Sequence, residues 1–274
     1  INGINAGVST NLKIAVGQVT ESTQWKSDLS ISDIQTYLRT NQKNVSDLKP
    51  ITTGAFQKES ALTNLYSHPV YQHFGYDKWQ KATESDYITF PISLKIEDSR
   101  KTGETIGNRD VFLQDLKFAK GSGDTDITDA VRVHFSCGNT NMLLSKNGGS
   151  INTFGELDLN NDGTNDYQSG TYEFDTNKTA VTYGTENSKQ EAYQIDKIKA
   201  TDTQGVLTGG KAIGTIESGK TLTITVTVFL EGWQELGTEG HKSSIWSTDT
   251  INNTFNLGMT FAVSTEDNAV QATE

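Results

Sequence analysis

From Thr221 to Val228 the chain reads Thr-Leu-Thr-Ile-Thr-Val-Thr-Val, which puts threonines on one side of an extended backbone and aliphatic side chains on the other. A helix would scatter the same residues around its axis. This order suits a strand with one face on a core and one toward water. Further strand-like runs occupy residues 87–96, 111–119, 130–137, 141–145, 170–174, 180–183, 211–216 and 257–263. Many short strands, polar turns, and long connections at 97–110 and 184–208 predict an all-β fold, a jelly-roll or related Greek-key β-sandwich with a few short helices.

The helices are expected in the early part of the chain. Ile31, Ile34 and Leu38 stand at helical spacing behind a capping serine, Ser30 or Ser32, and residues 59–66 admit a second helix. Residues 67–79 gather Tyr71, Phe74, Tyr76 and Trp79 with His68 and His73, read as a cover over one sheet edge. A single sandwich domain over residues 12–274, with an insertion around 24–80, accommodates all of this. Residues 1–11 are Gly-containing and polar, with Ile1, Ile4 and Val8 as spaced apolar anchors, and read as an extended N-terminal arm.

Charge and cysteine content narrow the partners. A net charge of -11 argues against nucleic acid or an anionic membrane surface and favours cations. The single cysteine, Cys137, rules out an intramolecular disulfide and reads as a packed strand residue. No stretch approaches the roughly 20 apolar residues of a membrane-spanning helix. A mean hydropathy of -0.52, abundant Asn, Thr, Ser and Asp, and a first residue Ile1 in place of Met lead to the expectation of a mature, secreted or surface-exposed protein.

The sharpest chemical motif is Asp158-Leu-Asn160-Asn-Asp162-Gly163-Thr164-Asn-Asp166. Oxygen side chains at alternate positions can converge on one hard cation, with Gly163 at the sharp turn and the Thr164 carbonyl as a further ligand, so calcium is the expected ion. Position twelve of such a loop is Ser169 instead of a bidentate glutamate, which leaves Glu156 or Glu173 to complete the set. The loop lies between strand-like runs, unlike a helix-flanked hand. A second acidic stretch with Asp124, Asp126 and Asp129 lacks this order and reads as a solvated loop.

Signatures of catalysis are missing. There is no HExxH, no Gly-rich phosphate loop, no GxSxG and no CxxC, and His68, His73, His134 and His241 carry no ligand spacing. The chain is therefore expected not to be an enzyme, with two fold-assembled carboxylates of a glycan hydrolase as the one arrangement that leaves no local trace.

The run from Thr221 to Leu230, followed by Glu231-Gly232-Trp233 and later by Phe255-Asn-Leu-Gly-Met-Thr-Phe261-Ala-Val263, resembles the closing strands of the TasA/camelysin group, and Asp129-Ala-Val-Arg-Val-His-Phe135 resembles a core strand of the same group. That resemblance implies a secreted jelly-roll subunit of an extracellular, biofilm-matrix fibre. It also implies self-assembly by donor-strand complementation, the N-terminal strand of one subunit completing the sheet of the next. Head-to-tail contacts of this kind generate open homopolymers. The main rival is a calcium-dependent carbohydrate-binding or adhesive module using Trp79, Trp233 or Trp246 to stack on sugars in glycan contacts.

Overall fold

A computed structural model describes residues 1–8, 11–53, 58–62, 65–67, 80–97, 107–152, 171–173, 180–182, 189–203, 206–239, 241–247 and 252–264. In chain order the first elements are β1 (Gly3–Val8), β2 (Leu12–Val16), β3 (Asp28–Leu29), α1 (Ile31–Thr40), β4 (Pro50–Thr53), β5 (Leu65–Ser67) and β6 (Gln80–Lys81). They are followed by β7 (Ile88–Ile96), β8 (Arg109–Lys120), β9 (Val131–Cys137), β10 (Thr140–Ser145), β11 (Gly149–Asn152), β12 (Thr171–Glu173), β13 (Ala180–Thr182) and β14 (Lys189–Gln194). The last are α2 (Ile195–Ile198), β15 (Thr201–Thr203), β16 (Val206–Thr208), β17 (Ala212–Ile216), β18 (Thr221–Glu231), β19 (Glu235–Leu236), β20 (Ser243–Ser244) and β21 (Phe255–Val263).

Two large sheets face one another across the main core, giving an all-β, sandwich-like fold. The smaller sheet runs β17-β8-β21-β1-β3. In the larger, β18 lies between β7 and β9, β2 pairs outside β7, and β10, β14 and β11 continue beyond β9. The alternation of β18 is realised as expected. Ile224, Val226 and Val228 are fully buried in the core while Thr221 and Thr225 are exposed. The threonine face is also stitched to its neighbour, since Thr223 meets Ser93 at 2.9 Å and Thr227 meets Thr89 at 3.1 Å in register. Phe135 of β9 and Phe261 of β21 bridge the sheets edge to face, with centroids 5.9 Å apart.

Past Thr227 the outer face of β18 is no longer open to water. Phe229 packs there with Ile51 of β4, Leu65 of β5, Leu143 and Ala192, a second small core on the outside of the larger sheet. The expected helix at 59–66 is not formed. Residues 58–60 make a turn and Leu65–Ser67 is β5, because pairing with β4 buries Leu65 in that second core, which a helix there would forgo.

Helix α1 forms as its sequence predicts. Ser30 is the cap: its Oγ accepts from the Asp33 backbone N–H at 3.2 Å, and the Asp33 carboxylate accepts from the Ser30 N–H at 2.9 Å. Ile34 and Leu38 face the core. The helix start rests on β1 at Gly3, where a Cβ would fall 2.6 Å from the Ile31 side chain.

Candidate functional site

The N-terminal segment is a strand of the protein's own smaller sheet. Six consecutive residues of β1 pair in parallel with β21, from Gly3 opposite Asn256 to Val8 opposite Phe261, and Ala6 and Gly7 pair antiparallel with β3. Asn2 extends the ladder by donating its N–H to the Phe255 carbonyl at 2.8 Å. Within the single chain, therefore, residues 3–8 fill an internal slot between β21 and β3 and do not project as an arm. The reason is burial: Ile4 is 3% exposed and Ala6 1%, and Ile1 and Val8 pack against the same core. The α-amino group of Ile1 donates to the Ser46 carbonyl at 2.9 Å, and burial holds its pKa below the usual range against the pull of Asp47.

The slot strand is separable from the body by topology. Only residues 9–11 connect β1 to β2, and those two strands belong to different sheets. Asn11 closes this connection with φ at 72°, a left-handed conformation that asparagine tolerates better than most residues.

The expected calcium ligands Asp158, Asn160, Asp162, Thr164 and Asp166 lie outside the described residues, as do Glu156, His68, His73 and Trp79. Among the described residues no group of three or more His, Cys, Asp or Glu side chains is placed to hold a metal. Two carboxylates of the second acidic stretch have partners close by. Asp126 accepts from the Thr128 N–H and hydroxyl at 2.9 and 2.7 Å, and the Lys146 ammonium lies 3.3 Å from Asp129.

Two of the three tryptophans offered as sugar platforms are committed to packing. Trp233 is 3% exposed and meets Trp246 edge to face at 5.6 Å. The Trp246 ring lies against the backbone of Gly232, where a Cβ would come within 2.1 Å of it. His134 is buried, its Nε2 3.2 Å from the Ser60 carbonyl, and burial lowers its pKa; His241 is exposed. Among the described residues no helix is long and apolar enough to cross a membrane.

One cluster escaped the sequence reading. Arg132 of β9 is 2% exposed, and its guanidinium donates from Nε to Gln190 Oε1 at 2.8 Å, from Nη2 to Gln234 Oε1 at 2.7 Å, and from Nη1 to the Asp129 carbonyl at 2.8 Å. Gln190 of β14 passes the contact on, its Nε2 donating to Glu231 Oε2 at 2.5 Å. Glu231, fully buried at the end of β18, also accepts from the Trp233 N–H at 3.1 Å and has the Thr52 side chain as a neighbour. Burial pushes the Glu231 carboxyl up to about 7, against the opposing influence of Arg132 and these donors. Burial likewise brings Arg132 down to about 10, although Glu231 and Asp129 oppose it. Arg132 alternates with Val131 and Val133 in β9, so period two alone assigns it to water. The signal available in the sequence was weaker: an arginine set between two valines in one apolar run and a glutamate ending another.

Comparison with family models, with curated proteins and with solved structures finds no match to this chain.

Proposed function

We propose that this protein is a structural subunit of an extracellular filament, polymerising head-to-tail by exchange of β1 and binding calcium through the Asp158–Asp166 run. The observation that carries the reading is the slot: a terminal strand with two buried anchors, held between β21 and β3 and joined to the rest by three residues. A strand so placed makes the same ladder and the same apolar contacts whether it comes from its own chain or from a neighbour, so exchange costs little beyond association. Short hinge connections favour it. The three-residue connector also limits the reach between Val8 and Leu12 to about 13 Å, so exchanging subunits abut directly. Donor and acceptor surfaces differ, and an exchange whose rotation does not close gives a fibre. The glycan-binding alternative is weakened by the packing of Trp233 and Trp246.

The test places cysteines at Asn5 and Gly258, which are register partners, in a Cys137→Ser background. A Cβ on residue 258 lies 3.3 Å from the Asn5 side chain, so the pair is close enough to bridge. Oxidation of polymerised protein is expected to give a covalent ladder in steps of 30.0 kDa on a non-reducing gel, with filaments in the electron microscope. Closed monomers alone at every concentration, with no filaments, overturn the proposal.

Calcium is tested separately. Titration calorimetry on the whole chain is expected to show binding that is lost when Asp158, Asp162 and Asp166 are together changed to asparagine, and saturation at a hundred times Kd is expected to add about 2.7 kcal/mol of stability. No heat and no thermal shift at millimolar calcium would remove the ion from the reading.

A further inference from the structure

We propose that the cluster of Arg132, Gln190, Glu231 and Thr52 is a proton-operated latch that holds strands β4 and β14 on the larger sheet. Both strands join the body of that sheet through short ladders. β4 joins β18 in parallel through two register pairs, Leu230 with Pro50 and Glu231 with Ile51, and β14 joins β10 in parallel through two, Leu144 with Tyr193 and Ser145 with Gln194. The central pairing of β18 with β9 spans six. Each weakly attached strand sends one side chain into the same buried cluster, Thr52 from β4 and Gln190 from β14.

The cluster has a latch's energetics. Arg132 and Glu231 are both closed off from water, and Gln190 stands between them, taking a hydrogen bond from one and giving one to the other. Desolvating two such groups is costly, and it is offset only while every donor and acceptor is matched. Withdraw β14 and the bridge is gone; withdraw β4 and the Thr52 contact goes with it. The seated strands are therefore held by geometry more than by net attraction.

The proton enters through Glu231. The charged side chain acting on it is Arg132 from β9, while β14 and β4 present the neutral Gln190 and Thr52 and the chain itself presents the Trp233 N–H. Asp129 acts on Arg132. His134, two residues further along β9, has its pKa lowered by burial, which favours its neutral form. In the seated state Glu231 keeps its proton up to about pH 7. Once a strand lifts and water enters, its carboxyl returns to the ordinary value near 4.3. Between those values the open state binds fewer protons, so raising the pH favours opening and lowering it favours the seated state. Arg132 remains charged throughout and contributes no slope there.

Hydrogen exchange on the whole chain, resolved by residue and corrected for intrinsic amide chemistry, tests this. The opening equilibrium at the amides of Ile51, Tyr193 and Gln194 is expected to rise about tenfold or more between pH 5.5 and 8, while amides in the middle of β18 do not follow. In Glu231→Gln the strands are expected to stay protected and the rise to vanish. A flat profile in the unmodified protein, or the same rise in the variant, overturns the proposal. If the variant does not fold, carbon-13 NMR of the Glu231 carboxyl decides: a midpoint near 7 supports the latch, and one in the ordinary carboxyl range overturns it.

Discussion

Changing Arg132 to alanine is expected to lower the stability of the fold by about 3–5 kcal/mol at pH 8, where Glu231 is ionised and the loss is that typical when one partner of a buried charged pair is removed, and by less at pH 6, where Glu231 holds its proton. The substitution strips Gln190 and Gln234 of their donor and leaves Glu231 without the one cation that acts on it, all in a site closed to water. It also empties the volume of one of the largest fully buried side chains among the described residues. The loss should grow as the pH rises above 7, because there the orphaned carboxylate must either remain charged in an apolar site or take up a proton against the solution. A triple change, Arg132→Met, Gln190→Met and Glu231→Leu, is expected to recover most of it, since apolar groups of similar volume need no matching and the buried Gln190 amide is not left without partners. Urea denaturation at pH 6 and pH 8 measures both. A loss below about 1 kcal/mol for the single change would mean that the cluster opens to water and is not the sealed assembly described above.

The inner face of the sandwich was legible because it follows a local rule. Ile224, Val226 and Val228, or Ile88, Phe90 and Ile92, alternate with residues that tolerate water, and period two is written into each strand by itself. Helix α1 was legible for the same kind of reason, with Ser30 and Asp33 three apart before Ile34 and Leu38. The outer face of the larger sheet was not. Arg132, His134, Phe229 and Glu231 sit on the side that alternation assigns to solvent, and they are buried only because β4, β5 and the turn at 58–60 come from far along the chain to cover them. Such coverage has no local period. It also explains the missing helix at 59–66, where local spacing pointed one way and the packing of Leu65 on Phe229 and Ile51 decided otherwise. The slot strand was half legible. Ile1, Ile4 and Val8 were recognisable as anchors, yet a short Gly-containing segment carries no mark of which molecule's sheet it will complete.

That ambiguity is what a change at Ile4 resolves. Ile4→Asp places a carboxylate at a position 3% exposed, and the strand can escape the cost only by leaving the slot. Losing the burial of Ile4 and Ala6 together with the ladder to β21 is expected to remove about 3–5 kcal/mol of stability. It should also abolish filaments, because the donor and the resident strand are the same segment. Destabilisation alone would be equally true of an ordinary edge strand, so the decisive measurement uses the chain lacking residues 1–8 and a synthetic peptide of those eight residues. If the slot is a receptor, the shortened sandwich has an open β21 edge, binds the peptide in trans, and regains the lost stability in proportion to peptide concentration, as any ligand specific for the folded state must. The Ile4→Asp peptide should not do so. A shortened chain as stable as the whole, or one indifferent to the peptide, would show that β1 decorates a sandwich already complete without it, and a polymer built on its exchange would have no driving force.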